Sequence, residues 1–109
     1  MSYIKNDMVI EHLSEIGYCK NKISYDEVLS YLKDKHQIEV YTTKDKMPEF
    51  DWNYGPVRNP IWNVYVNELY LPKERRIGLV WESFYHEHEA LDAGIYKACS
   101  IILNKKNLN

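Results

Sequence analysis

The run Glu87-His88-Glu89-Ala90-Leu91-Asp92-Ala93-Gly94-Ile95 limits the folds open to this chain more than any other stretch. It predicts a final helix from about Glu87 to Asn104, with Leu91, Ile95, Ala98 and Ile102 as its apolar stripe. Ala90, Gly94 and Ala98 add a row of small side chains at four-residue spacing, on one side of that helix. Glycine inside a helix costs about 1 kcal/mol relative to alanine, so the row needs a compensating gain. Close approach of the helix backbone to a sheet supplies one. Leucine at position 94 would hold the two apart.

Strands to form that sheet are signalled by segments of period two. Ile38, Val40 and Thr42 alternate with Glu39, Tyr41 and Thr43. Over about Ile61 to Leu69, Trp62, Val64 and Val66 point one way and Asn63, Tyr65 and Asn67 the other. A third strand, about Arg76 to Ser83, sets Ile77, Leu79 and Trp81 against Gly78, Val80 and Glu82. Pro72 and Lys73 mark a short turn, which makes the last two strands an antiparallel hairpin.

Two helices come first. From Asp7 to Ile16 the spacing of Val9, Leu13 and Ile16 is helical, with Asp7 as the expected cap and Gly17 as the stop. Ser24-Tyr25-Asp26-Glu27 matches a reciprocal capping box before an apolar face of Val28, Leu29 and Leu32, and this helix should end near His36. Between Lys44 and Pro60 the chain holds Pro48, Gly55, Pro56 and Pro60, which deny it regular hydrogen bonding. Phe50, Trp52 and Tyr54 are large for an unpacked loop.

These elements predict one α+β domain over residues 1–109, in the order ααβββα. It has a three-stranded antiparallel sheet with helices packed on one face and a long proline-containing loop at 44–60. The second and last helices cover Ile38, Val40, Trp62, Val64, Val66, Ile77, Leu79 and Trp81. The first helix falls at an edge or end. The 109 residues are a common size for one domain.

Charge narrows the function. With 14 basic and 16 acidic residues the net charge is -2, whereas nucleic-acid binders draw most of their affinity from a basic excess. The cluster Lys73 to Arg76 contains Glu74 and reads as a solvated turn. Three strands followed by a helix are similar to double-stranded-RNA-binding domains, whose final helix opens on lysines. Here that position holds His86, Glu87, His88 and Glu89, which would repel phosphate. Cys19 and Cys99 lie outside any C-x-x-C pattern, and Met1 to Asp7 lacks the apolar run of an export signal. A cytoplasmic protein with two free thiols is expected. No segment approaches the ~20 apolar residues that cross a bilayer.

Each candidate for chemistry has a plainer explanation. His86-Glu87-His88-Glu89 offers zinc-ligand types, but residues two apart diverge by about 200° on a helix, and the run is not H-E-x-x-H. Acidic residues in a first turn follow from the helix dipole. Cys99 belongs to the apolar side of the last helix and Cys19 to a connector, neither beside an evident base. The 4 glycines are scattered and form no phosphate loop. No catalytic residue, metal site or cofactor is expected, and the chain reads as a non-enzyme.

The stretch Glu82-Ser83-Phe84-Tyr85-His86-Glu87-His88-Glu89-Ala90-Leu91-Asp92-Ala93-Gly94-Ile95, with Ile10 to Tyr18 and the capped segment Ser24 to His36, resembles a family of small uncharacterised proteins. These come from prophages and other mobile elements of anaerobic gut bacteria, and their closing helix carries Glu-Ala-Leu-x-Ala-Gly-Ile. His86 stands where that family has a Ser or Thr cap, and the likeness spans about half the chain without the 44–60 loop. The resemblance implies an accessory protein of a mobile element and carries over no catalytic residues.

With 10 tyrosines and 3 tryptophans, the chain holds more large aromatics than this core needs. Such side chains are enriched at protein interfaces. A non-catalytic protein-binding surface is therefore expected at Tyr41, Tyr65 and Val80, with Trp52 and Tyr54 from the loop. Its partner is an unidentified protein, a second copy of the chain included. The loop folding over this face is an equal alternative within the monomer. Weak nucleic-acid binding by stacking on the aromatic sheet face is the second functional reading.

Overall fold

Asn6 opens the first helix, α1 (Asp7–Glu15), because its Oδ1 accepts from the amides of Met8 at 3.0 Å and Val9 at 3.4 Å. The cap is thus one residue earlier than Asp7, which sits in the first turn where its charge suits the dipole. The computed structural model describes residues 3–46, 60–76 and 79–107. At its far end α1 closes in a two-bond Schellman motif. Tyr18 N–H donates to the Leu13 carbonyl at 2.8 Å and Gly17 N–H to that of Ser14 at 3.0 Å. Gly17 has φ +100°, a left-handed conformation that costs other residues steric energy.

Ser24 caps α2 (Tyr25–His36) by accepting from the Glu27 amide at 3.2 Å. The Glu27 carboxylate does not complete the expected box. It meets the Tyr18 hydroxyl and the Lys20 ammonium, both at 3.4 Å. After α2 the chain turns at Gln37 (φ 55°, ψ 43°), a left-handed residue that is not glycine. Its N–H donates to Lys33 O at 3.1 Å, and its carbonyl accepts from Leu69 N at 2.8 Å. Strand β1 (Ile38–Lys46) therefore starts locked to the end of strand β2 (Pro60–Glu68).

The two strands form a regular antiparallel ladder from Ile38↔Glu68 to Lys46↔Pro60. Lys44, Asp45 and Lys46, expected in the loop, are paired with Trp62, Ile61 and Pro60. Proline is tolerated at Pro60 because it is the first residue of its strand. Residues 47–59, with Phe50, Trp52 and Tyr54, lie outside the described residues.

Beyond β2, a 3-10 turn at Lys73–Arg75 takes the place of the simple turn expected there. The Arg76 guanidinium clasps its approach, donating from Nε to Leu71 O at 2.9 Å and from Nη2 to Leu69 O at 2.8 Å. Strand β3 (Leu79–Phe84) begins later than Arg76 and runs antiparallel to β2. Its partners are Leu79↔Tyr65, Trp81↔Val64 and Phe84↔Trp62, with register shifts between successive pairs. Leu79 and Trp81 thus pair with adjacent residues of β2, an irregularity of the backbone ladder, and the faces expected for their side chains fall outside what is described. Ile77 and Gly78 lie outside the described residues.

The last helix, α3 (Glu87–Asn107), crosses the sheet. A Cβ built on Gly94 would stand 2.6 Å from Val64 Cγ2 and 2.7 Å from Val40 Cγ1. Both valines are buried, and with Ile38 and Val66 they form the sheet face under α3. Helix α2 packs on β1 and α3, while α1 packs on α3, and among the described residues its backbone does not come close to a strand. The first helix, expected at an edge or end, packs on the last helix. The whole is one α+β domain of three helices and an antiparallel sheet whose regular part is the β1–β2 ladder.

Two left-handed residues give opposite expectations. Gly17→Ala should lower stability by about 1 kcal/mol, since nothing lies within 4 Å of the added Cβ and only the backbone conformation resists it. Gln37→Gly should raise stability by about 0.5–1 kcal/mol for the same reason reversed. Urea unfolding of the two variants checks both signs.

Candidate functional site

On the sheet face away from α3, alternation brings together Glu39, Tyr41 and Thr43 of β1 with Asn67, Tyr65 and Asn63 of β2. Tyr41 is directly opposite Tyr65, and their rings stack with centroids 4.9 Å apart and planes 11° apart. Such a pair contributes about 0.5–1.5 kcal/mol beyond the area it buries. Tyr41 is 39% exposed and Tyr65 is half-buried. At one end of this face Glu39 pairs with Lys33 of α2 at 3.6 Å.

The expected surface is assembled only in part. Asn63, read as an open-face residue, is 6% exposed, so it adds no open surface beside the tyrosines. Buried amides need hydrogen-bond partners, and among the described residues no buried side-chain polar atom lacks one. Val80 belongs to β3 by its backbone, and its side chain lies outside the description, as do Trp52 and Tyr54 altogether. Trp62 is half-buried against the core on the opposite face, with Lys44 Nζ 5.7 Å from its ring centroid.

The histidine pair differs from its sequence reading. His86 precedes the first helical residue, so the divergence of residues two apart on a helix does not apply, and the His86 and His88 rings stack at 5.5 Å. Among the described residues no group of three or more His, Cys, Asp or Glu is placed to hold a metal ion. Both cysteines are free. Cys19 is exposed with its Sγ 3.2 Å from Ser14 Oγ. Cys99 is buried in α3, and burial, helped by the Glu15 charge, pushes its thiol up to about 12.

One polar junction had no signal in the sequence. The hydroxyl of Tyr25, a residue only 4% exposed at the start of α2, donates to Asp92 Oδ1 of α3 at 2.7 Å. Burial raises both groups above their ordinary ranges. Tyr25 is raised further by the neighbouring charge, while for Asp92 the Tyr25 bond, His88 and the Asn6 amide act in the opposite sense and Glu89 reinforces the rise. Clefts of about 330 Å³ and 290 Å³ flank the junction, and both include Asn6 and Asp92 in their walls. The partners are 67 residues apart in the chain, too far for any local pattern to join them.

Among the described residues no helix is long and apolar enough to cross a membrane. Comparison with protein-family models, with curated proteins and with solved structures finds no match.

The Asp92 carboxyl holds its proton to higher pH in the folded chain than in the unfolded one. Its contribution to stability is therefore full below the ordinary carboxylate value of 3.8 and is lost as pH rises through the folded value. The stability difference, wild type minus Asp92→Asn, should accordingly grow as pH falls from about 7 to about 4. Denaturant melts at several pH values measure it. Separately, a thiol reagent at neutral pH should label Cys19 and leave Cys99 unmodified until the chain is unfolded, which mass spectrometry of the peptides reads directly.

Proposed function

We propose that this chain is a non-catalytic protein-binding module, with a contact surface centred on the Tyr41–Tyr65 stack. The observation that carries the reading is the stack itself. Two large rings are held rigid by strand pairing, with Tyr41 exposed. Preordered aromatics lose little entropy on contact, which suits them to anchoring a partner. In this reading Val80, Trp52 and Tyr54 extend the surface, and the element order is ααβββα with β3 completing the sheet beside β2.

The resemblance of the closing helix to mobile-element proteins supports reading the module as a cytoplasmic accessory protein of a prophage or similar element. The stacked geometry favours a protein over nucleic acid. Each ring already spends one face on the other, so fewer faces are left for bases, and the net charge of -2 supplies no phosphate attraction.

A photo-cross-linking residue at position 41 tests this, with the same residue at Tyr85, exposed and outside the β1–β2 ladder, as the control. Position 41 should give a discrete protein adduct that survives nuclease and moderate salt and is lost in Tyr65→Ala. An adduct removed by nuclease, or equal yields at 41 and 85, would contradict the reading.

A further inference from the structure

A third cleft, of about 350 Å³, opens where the end of α2, the start of β1 and the last turns of α3 meet. Its apolar wall is made by Ile38, Ile102 and the Tyr70 ring, and its polar rim by Lys35, Gln37 and Lys105. The volume is within the range of small-molecule sites.

The rim is unusual in its donors. Lysines in a last turn are ordinary partners for a helix's carbonyl end, but here two of them come from different helices to one cleft. Neither Lys35 nor Lys105 is ion-paired with a carboxylate among the described residues. Lys105 Nζ lies 3.2 Å from the Tyr70 ring centroid, and the Tyr70 hydroxyl in turn donates to Glu68, which fixes the ring. His36 completes the rim with its Nε2 near the Tyr31 hydroxyl, at 3.3 Å.

Gln37 adds a separate observation. Among the described residues it is the one non-glycine with positive φ. Its backbone is fixed on both sides by the bonds to Lys33 and Leu69. Gln37 is thus an exposed residue that lines the cleft from a backbone fixed where the chain leaves α2.

We propose that this cleft binds a phosphate monoester, with the phosphate between Lys35 and Lys105, the Gln37 amide donating to it, and the organic group lying along Ile38, Ile102 and Tyr70. Two ammonium groups match a compact dianion, and the apolar wall rewards an aromatic or aliphatic ester over the bare ion. This site is separate from the Tyr41–Tyr65 face and does not depend on that reading.

Phenyl phosphate and inorganic phosphate are the probes, titrated into the ¹⁵N-labelled full chain. Phenyl phosphate should give saturable shifts at the Gln37, Ile38 and Tyr70 amides, bind more tightly than inorganic phosphate, and weaken as salt rises. The double variant Lys35→Gln/Lys105→Gln should keep its melting behaviour and lose about tenfold or more in affinity. Gln37→Gly, expected to fold more stably, should bind about threefold to tenfold less tightly, the loss of one hydrogen bond. Shifts that do not saturate, equal binding of the two phosphates, or full affinity in either variant would overturn the proposal.

Discussion

The contact between Gly94 and the methyl groups of Val40 and Val64 sets the distance between α3 and the sheet, and most of the structure depends on that distance. The row Ala90, Gly94 and Ala98 is buried, so the helix backbone itself lies against the strands. Valine side chains are stiff at χ1, and in a close-packed interior they cannot turn aside without displacing their neighbours. The conformational cost of glycine in the helix is offset by this approach. It also lets Leu91, Ile95 and Ile102 reach partners on both sides, with α1 packed on the helix and α2 closing over β1.

Much of this arrangement is legible where a local rule acts alone. Ser24 at the start of α2, Gly17 at the end of α1, the small-residue row and the alternation of β1 and β2 each have one physical cause, and the structure follows them. Departures occur where two rules compete or where the cause is distant. Asn6 and Asp7 are both residue types able to accept amide bonds, and only the path of the chain decides which one caps. Lys44 to Lys46 look unfit for a strand beside a proline-rich stretch, yet pairing with β2 carries them on. Between β2 and β3 the ladder carries register shifts that no local pattern announces.

The candidate site divides in the same way. Tyr41 and Tyr65 can be placed together from strand period and hairpin logic, and the register pairs them directly. Gln37 carries no turn signature in its residue type, and its left-handed conformation comes from the need to join α2 to a strand locked at Leu69. The Tyr25–Asp92 bond joins two helices whose relative placement follows from the α3 crossing. Polar junctions of this kind are consequences of the packing, so they become visible only after it is known.

A double-mutant cycle between Gly94 and Val64 is the most direct measurement of that crossing. Gly94→Ala in the wild-type chain should cost up to about 2 kcal/mol in urea unfolding, because overpacking of about 1–3 kcal/mol opposes the helix-propensity gain of about 1 kcal/mol. In the Val64→Ala background, with the 2.6 Å neighbour removed, the same change should cost measurably less. A Gly94→Ala chain more stable than wild type, or an equal cost in both backgrounds, would contradict the account.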